Sequence, residues 1–380
     1  MQFIDLASQQ ERIRKGIDAR IAGVLDRGTY IMGPEVAELE QALAAFCGAK
    51  HCISCANGTD ALQLALMALE VTSGDAVFVP SFTFAATAEI VPFVGATPVF
   101  VDIDLDSYNM SPDSLVRAID AARKMGLRPA AVVPVDLFGR PADYEAITQI
   151  ARAEGMALIG DSAQGWGAQY KGRLTGTLAD ITTTSFFPAK PLGCYGDGGA
   201  LFTDDPELAA IMDSFRVHGK GVEKYDNVRI GMNSRLDTLQ AAILLEKLAI
   251  YADELDKRDE IARRYSAALS DHFIIPQMPD DLRSTWAQYT LRARSEAERS
   301  RIQMILKESD IPSAVYYPKP LHQQTAYVDF PCDPNGLGNS ELAASCVFSI
   351  PMSPYLTLTD QEKVIATLQS LKPNDPQATL

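Results

Sequence analysis

From about residue 9 to residue 27, apolar side chains recur at helical spacing, with Ile13, Ile17, Ile21, Val24 and Leu25 on one face and Gly28 at the end. A second helix is expected after Gly33-Pro34. It turns Val36, Leu39, Leu43 and Phe46 inward and stops at Gly48, where a left-handed residue is favoured. Beyond it the chain alternates. Short apolar runs at 51–54, 76–79, 98–102, 130–135, 157–160 and 181–186 read as strands, separated mostly by helical patterns at 60–69, 85–94, 112–125 and 142–153. That rhythm specifies an α/β fold with a largely parallel sheet covered by helices on both faces. After a further strand at 200–202 and a helix at 206–217, the polar, glycine-containing stretch 219–231 reads as an exposed loop. A long helix is expected over 234–269, turning charged beyond Tyr251 as a helix bridging two domains does. The remainder carries shorter β-like runs at 287–292 and 314–317 and a polar tail after Leu371, consistent with a smaller α+β domain. The expected division is 1–249 and 250–380, with no internal repeat.

At 380 residues the chain exceeds what one core usually supports, in keeping with two domains. The 49 acidic residues against 34 basic ones, a formal charge of −15, oppose binding to nucleic acid or to an anionic membrane. No charged-then-apolar leader stands at Met1-Gln2-Phe3-Ile4-Asp5, and no apolar run approaches the roughly 20 residues of a membrane span. A cytoplasmic protein is expected. Six cysteines are too few for a disulfide framework, and Cys52-Ile53-Ser54-Cys55 has no second pair spaced for zinc. The expectation is core packing in a reducing compartment, without a metal.

The chemistry centres on Lys190. A β-type run ends in Ser185-Phe186-Phe187 before it, and Gly193, Gly196, Gly198 and Gly199 follow, letting the backbone approach a flat ligand or take positive φ. Burial in such a crevice disfavours the ammonium form and frees the amine for Schiff-base chemistry, although a phosphate or backbone contact is the plainer role. In open α/β sheets, ligands bind beyond the carboxyl ends of strands. Three more strand ends therefore matter. Asn57-Gly58-Thr59-Asp60 opens a helix, either as a phosphate cradle or as a simple N-cap. Pro80-Ser81-Phe82-Thr83-Phe84 sets aromatic rings at a strand end, to pack in the core or to stack on a ring. Asp161 in Gly160-Asp161-Ser162-Ala163-Gln164 follows an apolar strand, either capping the next helix or meeting a cation such as a protonated pyridine nitrogen. Ser185 could join Gly58 and Thr59 on a phosphate.

Together with Gly33-Pro34-Glu35-Val36, Gly196-Asp197-Gly198-Gly199 and Gly231-Met232-Asn233-Ser234-Arg235-Leu236, these motifs resemble the DegT/DnrJ/StrS group of nucleotide-sugar aminotransferases over nearly the whole chain. The resemblance implies the fold type I architecture of pyridoxal phosphate-dependent transferases. It further implies that Lys190 carries pyridoxal 5′-phosphate as a Schiff base, Asp161 pairs with the pyridine nitrogen, Gln164 lies on the phenolic oxygen side and Phe84 stacks on the ring. Gly58, Thr59 and Ser185 would hold the phosphate, with Asn233 supplied by the second subunit of a homodimer. Arg235, Tyr316, Tyr317 and His322 are the expected substrate contacts. Many members have Lys-Asn at Lys190-Pro191 and His-Tyr-Pro at Tyr316-Tyr317-Pro318. Lys190 itself argues against the branch that carries histidine there and dehydrates sugars.

The implied reaction moves the amino group of L-glutamate to a keto nucleotide sugar, with Lys190 as the group suited to carry the proton. Cys194-Tyr195, Ala287-Gln288-Tyr289-Thr290 and Tyr317-Pro318-Lys319-Pro320-Leu321 most resemble members acting at C3 of UDP-2-acetamido-2-deoxy-3-keto-D-glucuronic acid, in lipopolysaccharide and O-antigen sugar synthesis. Arg235 could grip the uronate, serve the glutamate donor, or belong to a domain interface. Alternatives are a dTDP-linked 3-keto or 4-keto-6-deoxyhexose as substrate, a lyase on the same fold, or a cofactor-binding sensor. Against the sensor, no basic helix-turn-helix segment is present.

Overall fold

The computed structural model describes residues 1–223 and 225–371, so the expected polar tail lies outside the described residues. In chain order come α1 (Leu6–Arg27), α2 (Pro34–Cys47), β1 (His51–Cys55), α3 (Gly58–Ala68), β2 (Asp75–Pro80), α4 (Ala86–Phe93), β3 (Thr97–Val101) and α5 (Pro112–Lys124). There follow β4 (Arg128–Val132), α6 (Tyr144–Ala153), β5 (Ala157–Asp161), the short ribbon β6 (Gln169–Tyr170) and β7 (Arg173–Leu174), β8 (Ile181–Ser185), β9 (Gly199–Thr203) and α7 (Pro206–Phe215). Helix α8 (Thr238–Leu269) leads to β10 (Leu282–Arg283), β11 (Tyr289–Arg292), α9 (Glu296–Glu308), α10 (Gly338–Cys346), β12 (Val347–Ile350) and α11 (Leu358–Gln369).

Seven strands form the main sheet in the order β1-β9-β8-β5-β4-β2-β3. All pairings are parallel except those of β9, which runs antiparallel to both β1 and β8. No helix separates β8 from β9. Without that crossover the chain turns back, and the turning segment is the one that contains Lys190. The sheet is buried on both faces, and alternate residues of one strand serve different cores. Val77 and Val79 join the layer of α3 and α4, while Ala76 and Phe78 join that of α5 and α6. Each buried large apolar side chain contributes about 1.5–3 kcal/mol.

A second core lies in the C-terminal part. Ile261, Tyr265 and Leu269 of α8 pack there against Tyr289 and Leu291 of β11, Phe348 and Ile350 of β12, and Leu306 and Leu368. The earlier turns of α8 instead pack Ala241, Leu244 and Leu245 against Val36, Leu39 and Leu43 of α2. One helix therefore belongs to both cores.

Two expectations are corrected here. The long helix begins at Thr238 rather than Ser234, because residues 233–237 are extended: Ser234 N–H donates to Arg216 O, and Val217 and Ile31 bridge to Asn233 and Asp237. The run 314–317 is no strand. Ala314 alone makes a bridge, to Ser349, and the following residues turn into an aromatic cluster.

Candidate active site

The strands β1, β2, β5 and β8 end at Cys55, Pro80, Asp161 and Ser185 along one edge of the sheet. At the first of these, Asn57 caps α3 by accepting the Asp60 N–H at 2.8 Å, and Ala61 N–H is taken by Asn57 O. The Gly58 and Thr59 N–H groups have no partner among the described residues, at a helix end whose dipole favours an anion. Ser185 stands directly opposite: a Cβ added to Gly58 would lie 2.7 Å from Ser185 Cβ. Ser185 Oγ accepts the Phe187 N–H at 3.2 Å, which leaves its own proton to donate. The N-cap and the anion cradle are thus one feature, with different donors in use.

The loop after β8 folds tightly on itself. Phe186 N–H donates to Gly198 O, Lys190 N–H to Phe187 O, and Cys194 N–H to Phe186 O. None of Gly193, Gly196, Gly198 and Gly199 has positive φ; what the structure shows at them is close packing against other parts of the chain. At Gly199 a Cβ would lie 2.4 Å from Asn57 O, and nothing larger than glycine lets β9 pass the Asn57 turn. Gln240 of α8 secures the same loop by accepting the Tyr195 N–H at 2.9 Å.

Lys190 Nζ makes no hydrogen bond or ion pair among the described residues. Desolvation pushes its ammonium below the ordinary lysine value, and the Asp161 carboxylate works against that shift. Asp161 is 5% exposed. Burial pushes its carboxyl up, while the Thr87 hydroxyl at 2.9 Å, the Ala163 N–H at 3.1 Å and the charge of Lys190 hold it down. A buried carboxylate and an unpartnered amine thus lie within electrostatic reach of each other. The amine is primed for a carbonyl, and the carboxylate lacks a cation in direct contact.

Phe84 is 56% exposed, an unusual state for a phenylalanine at a strand end, with its ring 6.3 Å from that of Tyr317. Gln164 accepts the Phe138 N–H at 2.7 Å and donates to the Tyr317 hydroxyl at 3.2 Å. Tyr316 is half-buried between Tyr317 and Phe3. His322 is engaged elsewhere: Nδ1 meets Ser81 Oγ at 2.6 Å and Nε2 meets Glu341 at 3.1 Å. Arg235 is half-buried without a hydrogen bond or ion pair among the described residues, and Asn233 is exposed. Ser234 Oγ accepts the Ala56 N–H at 3.2 Å, so this segment lies beside the 57–59 turn of its own chain.

Thr87 and Asp136 escaped the sequence reading. Thr87 lies four residues after Thr83, whose hydroxyl it meets at 3.2 Å, and this spacing at a helix start was the available signal. Asp136 sits in an apolar strand end like that of Asp161.

The arrangement fits a flat, phosphorylated carbonyl compound with a basic ring nitrogen. For such a compound the free N–H donors and the Ser185 hydroxyl would suit the phosphate, Asp161 the ring cation, the exposed Phe84 ring a stacking face and Lys190 the carbonyl. Among the described residues no cluster suits a metal ion, and all six cysteines are unpaired. No helix is long and apolar enough to cross a membrane.

Residues 11–369 match the model of the DegT/DnrJ/EryC1/StrS aminotransferase family. A Pseudomonas aeruginosa relative, UDP-2-acetamido-2-deoxy-3-oxo-D-glucuronate aminotransferase, is 48% identical across 97% of this chain and 99% of its own. The crystal structure of a DegT DnrJ EryC1 StrS aminotransferase from Brucella abortus superposes with a TM-score of 0.96 at 53% identity, covering 97% and 99% of the two chains. That of ntda from Bacillus subtilis with bound cofactor PMP does so at 0.86 and 30% identity, covering 97% and 82%.

Proposed function

Because the chain belongs to the DegT/DnrJ/EryC1/StrS aminotransferase family, we propose that it moves the amino group of L-glutamate to C3 of UDP-2-acetamido-2-deoxy-3-keto-D-glucuronic acid. Pyridoxal 5′-phosphate is the cofactor, PMP being its aminated form. When bound it supplies an aldehyde for amine capture and a ring that draws electrons from the substrate carbon. The observation that carries the reading is the convergence at one sheet edge: the unpartnered Lys190 amine near buried Asp161, with the free Gly58 and Thr59 donors and Ser185 at the other end.

In this reading Lys190 Nζ would hold the cofactor and, when free, would take and return the proton at the substrate carbon. Asp161 holds a proton on the ring nitrogen, and Thr87 fixes its orientation. Gln164 positions the phenolic oxygen, and Phe84 covers the ring. Gly58, Thr59 and Ser185 bind the phosphate. Tyr316 and Tyr317 line the sugar side, with Arg235 available to pair a uronate carboxylate in bidentate fashion. His322 serves this wall indirectly, by tying the segment after Tyr317 to Ser81 at the end of β2.

The protein works as a cytoplasmic homodimer in lipopolysaccharide O-antigen synthesis, with Asn233 reaching the phosphate of the partner subunit. Exposed Val222, Val228 and Ile230 beside Asn233 support an apolar seam there. The division at 249/250 belongs to the same reading; within α8, Tyr251 and Leu255 still pack in the first core and Ile261 is in the second.

The purified protein, incubated with L-glutamate and a panel of keto nucleotide sugars, should give amine product from the UDP-linked 3-keto uronate and much less from its neutral analogue. Preferred amination of a dTDP-linked 3-keto or 4-keto-6-deoxyhexose would overturn the substrate and leave the chemistry standing.

A further inference from the structure

Asp136 has no role in the chemistry above, yet it lies fully buried behind Asp161. One carboxyl oxygen accepts the Ala142 N–H at 3.0 Å; the other accepts the Tyr144 hydroxyl at 3.2 Å and the hydroxyl of Ser162, the residue after Asp161. Its N–H donates to Asp161 O at 2.9 Å, and the bridge Val135–Asp161 joins the two strand ends just before it. A Cβ added to Gly165 would lie 2.3 Å from Asp136 Cβ, so the 162–165 turn rests directly on this side chain. The turn that Asp136 opens supplies the Phe138 N–H to Gln164 Oε1. Both residues expected to address the ring, Asp161 and Gln164, are therefore held from Asp136 and its turn.

We propose that Asp136 is a positioning residue for the cofactor, its carboxyl gripping the 161–164 turn so that Asp161 and Gln164 meet the ring together. This rests on the pyridoxal phosphate reading. Three groups face the carboxyl: Ser162 from the turn, Tyr144 from α6 and, as the acidic neighbour, Asp161 from β5. No lysine or arginine pairs with it. Desolvation raises its pKa to about 7, with Asp161 adding to the rise and the Ser162, Ala142 and Tyr144 donors opposing it. Near neutrality the carboxyl thus exchanges between a neutral and an anionic form, and the anionic form places a second negative charge behind the ring-nitrogen carboxylate.

The sign for stability follows. A carboxyl whose pKa is higher in the folded than in the unfolded state favours folding at low pH and loses that contribution as pH rises from its ordinary range to about 7. Urea unfolding of the cofactor-free protein should show that loss between about pH 4 and 7, and Asp136→Asn should flatten it in part, Asp161 keeping its own share. In the loaded protein, Asp136→Asn should shift the pH midpoint of the visible absorption of bound pyridoxal phosphate by about half a unit or more. Asp136→Ala should weaken pyridoxal phosphate binding by about tenfold or more, as read by fluorescence titration. If Asp136→Ala does not fold, Ser162→Ala removes the grip from the other side and takes the same tests. Reduced stability with midpoint and affinity both unchanged would show a packing role and overturn the positioning role alone. A wild type with no visible band would instead overturn the cofactor reading, and this inference with it.

Discussion

Lys190 and Asp161 are each made unusual by burial and each moderated by the other. Replacing Lys190 by Ala removes the amine, so the visible band of the attached cofactor and turnover should disappear together; absorbance and a rate assay read both. Retention of a borohydride-reducible adduct would move the attachment elsewhere. Arg235 carries the substrate expectation, being a half-buried guanidinium with no partner among the described residues. If it binds the uronate, Arg235→Ala should weaken the sugar half-reaction by about 2–5 kcal/mol and leave loading by glutamate nearly intact. Single-turnover kinetics of each half-reaction would separate this from a donor role, in which both fall. The common sheet edge of Asp161 and the Gly58 turn was legible in the sequence because each sits where a short strand ends, and Lys190 was marked by Ser185 before it and the glycines after it. Thr87 and Asp136 were not, because their partner is chosen by the packing of α4 and β4 beside β5, a matter of three-dimensional register.

Among the elements, those that alternate between strand and helix were read closely, since most of the buried parallel strands are short apolar runs between turn signals, with Ile181–Ser185, largely threonine, the exception. The misreadings fell where tertiary pairing overrode local pattern. Residues 233–237 look helical in sequence but pair with Arg216, Val217 and Ile31, so α8 starts one turn later. The ribbon of β6 and β7 is too short to leave a period. The loop after β8 has a sharper consequence. Gly199→Ala would press a methyl against Asn57 O at 2.4 Å and the Gly58 N at 2.9 Å, from opposite the phosphate cradle. Overpacking of this kind costs about 1–3 kcal/mol. The denaturation midpoint should drop accordingly, with pyridoxal phosphate affinity falling alongside it; a stable variant of normal affinity would mean that β9 can move away.

At the scale of the whole molecule, Asn233 is the residue whose supplier matters. It lies beside its own chain's 57–59 turn and yet is exposed, next to a polar loop that also exposes Val222, Val228 and Ile230. If it serves the neighbouring subunit, mixing equal amounts of Lys190→Ala and Asn233→Ala protomers under exchange conditions should regain up to about a quarter of wild-type activity, through hybrid dimers with one intact site. No recovery would place each site within one chain. The 32-residue helix α8 imposes a different kind of limit. Its early turns lock into the layer under the Lys190 loop and its late turns into the second core, so it acts as a ruler with fixed graduations. Inserting one residue between those grips turns everything beyond it by about 100° and advances it by about 1.5 Å, taking Ile261, Tyr265 and Leu269 off their partners. An alanine inserted after Leu248 should therefore abolish soluble folding, whereas the same insertion in the exposed turn at Lys171-Gly172 should leave circular dichroism and melting almost unchanged. Descent with gain and loss of residues is thereby steered out of this span: the chain can lengthen in its loops, while the distance between the two cores stays fixed.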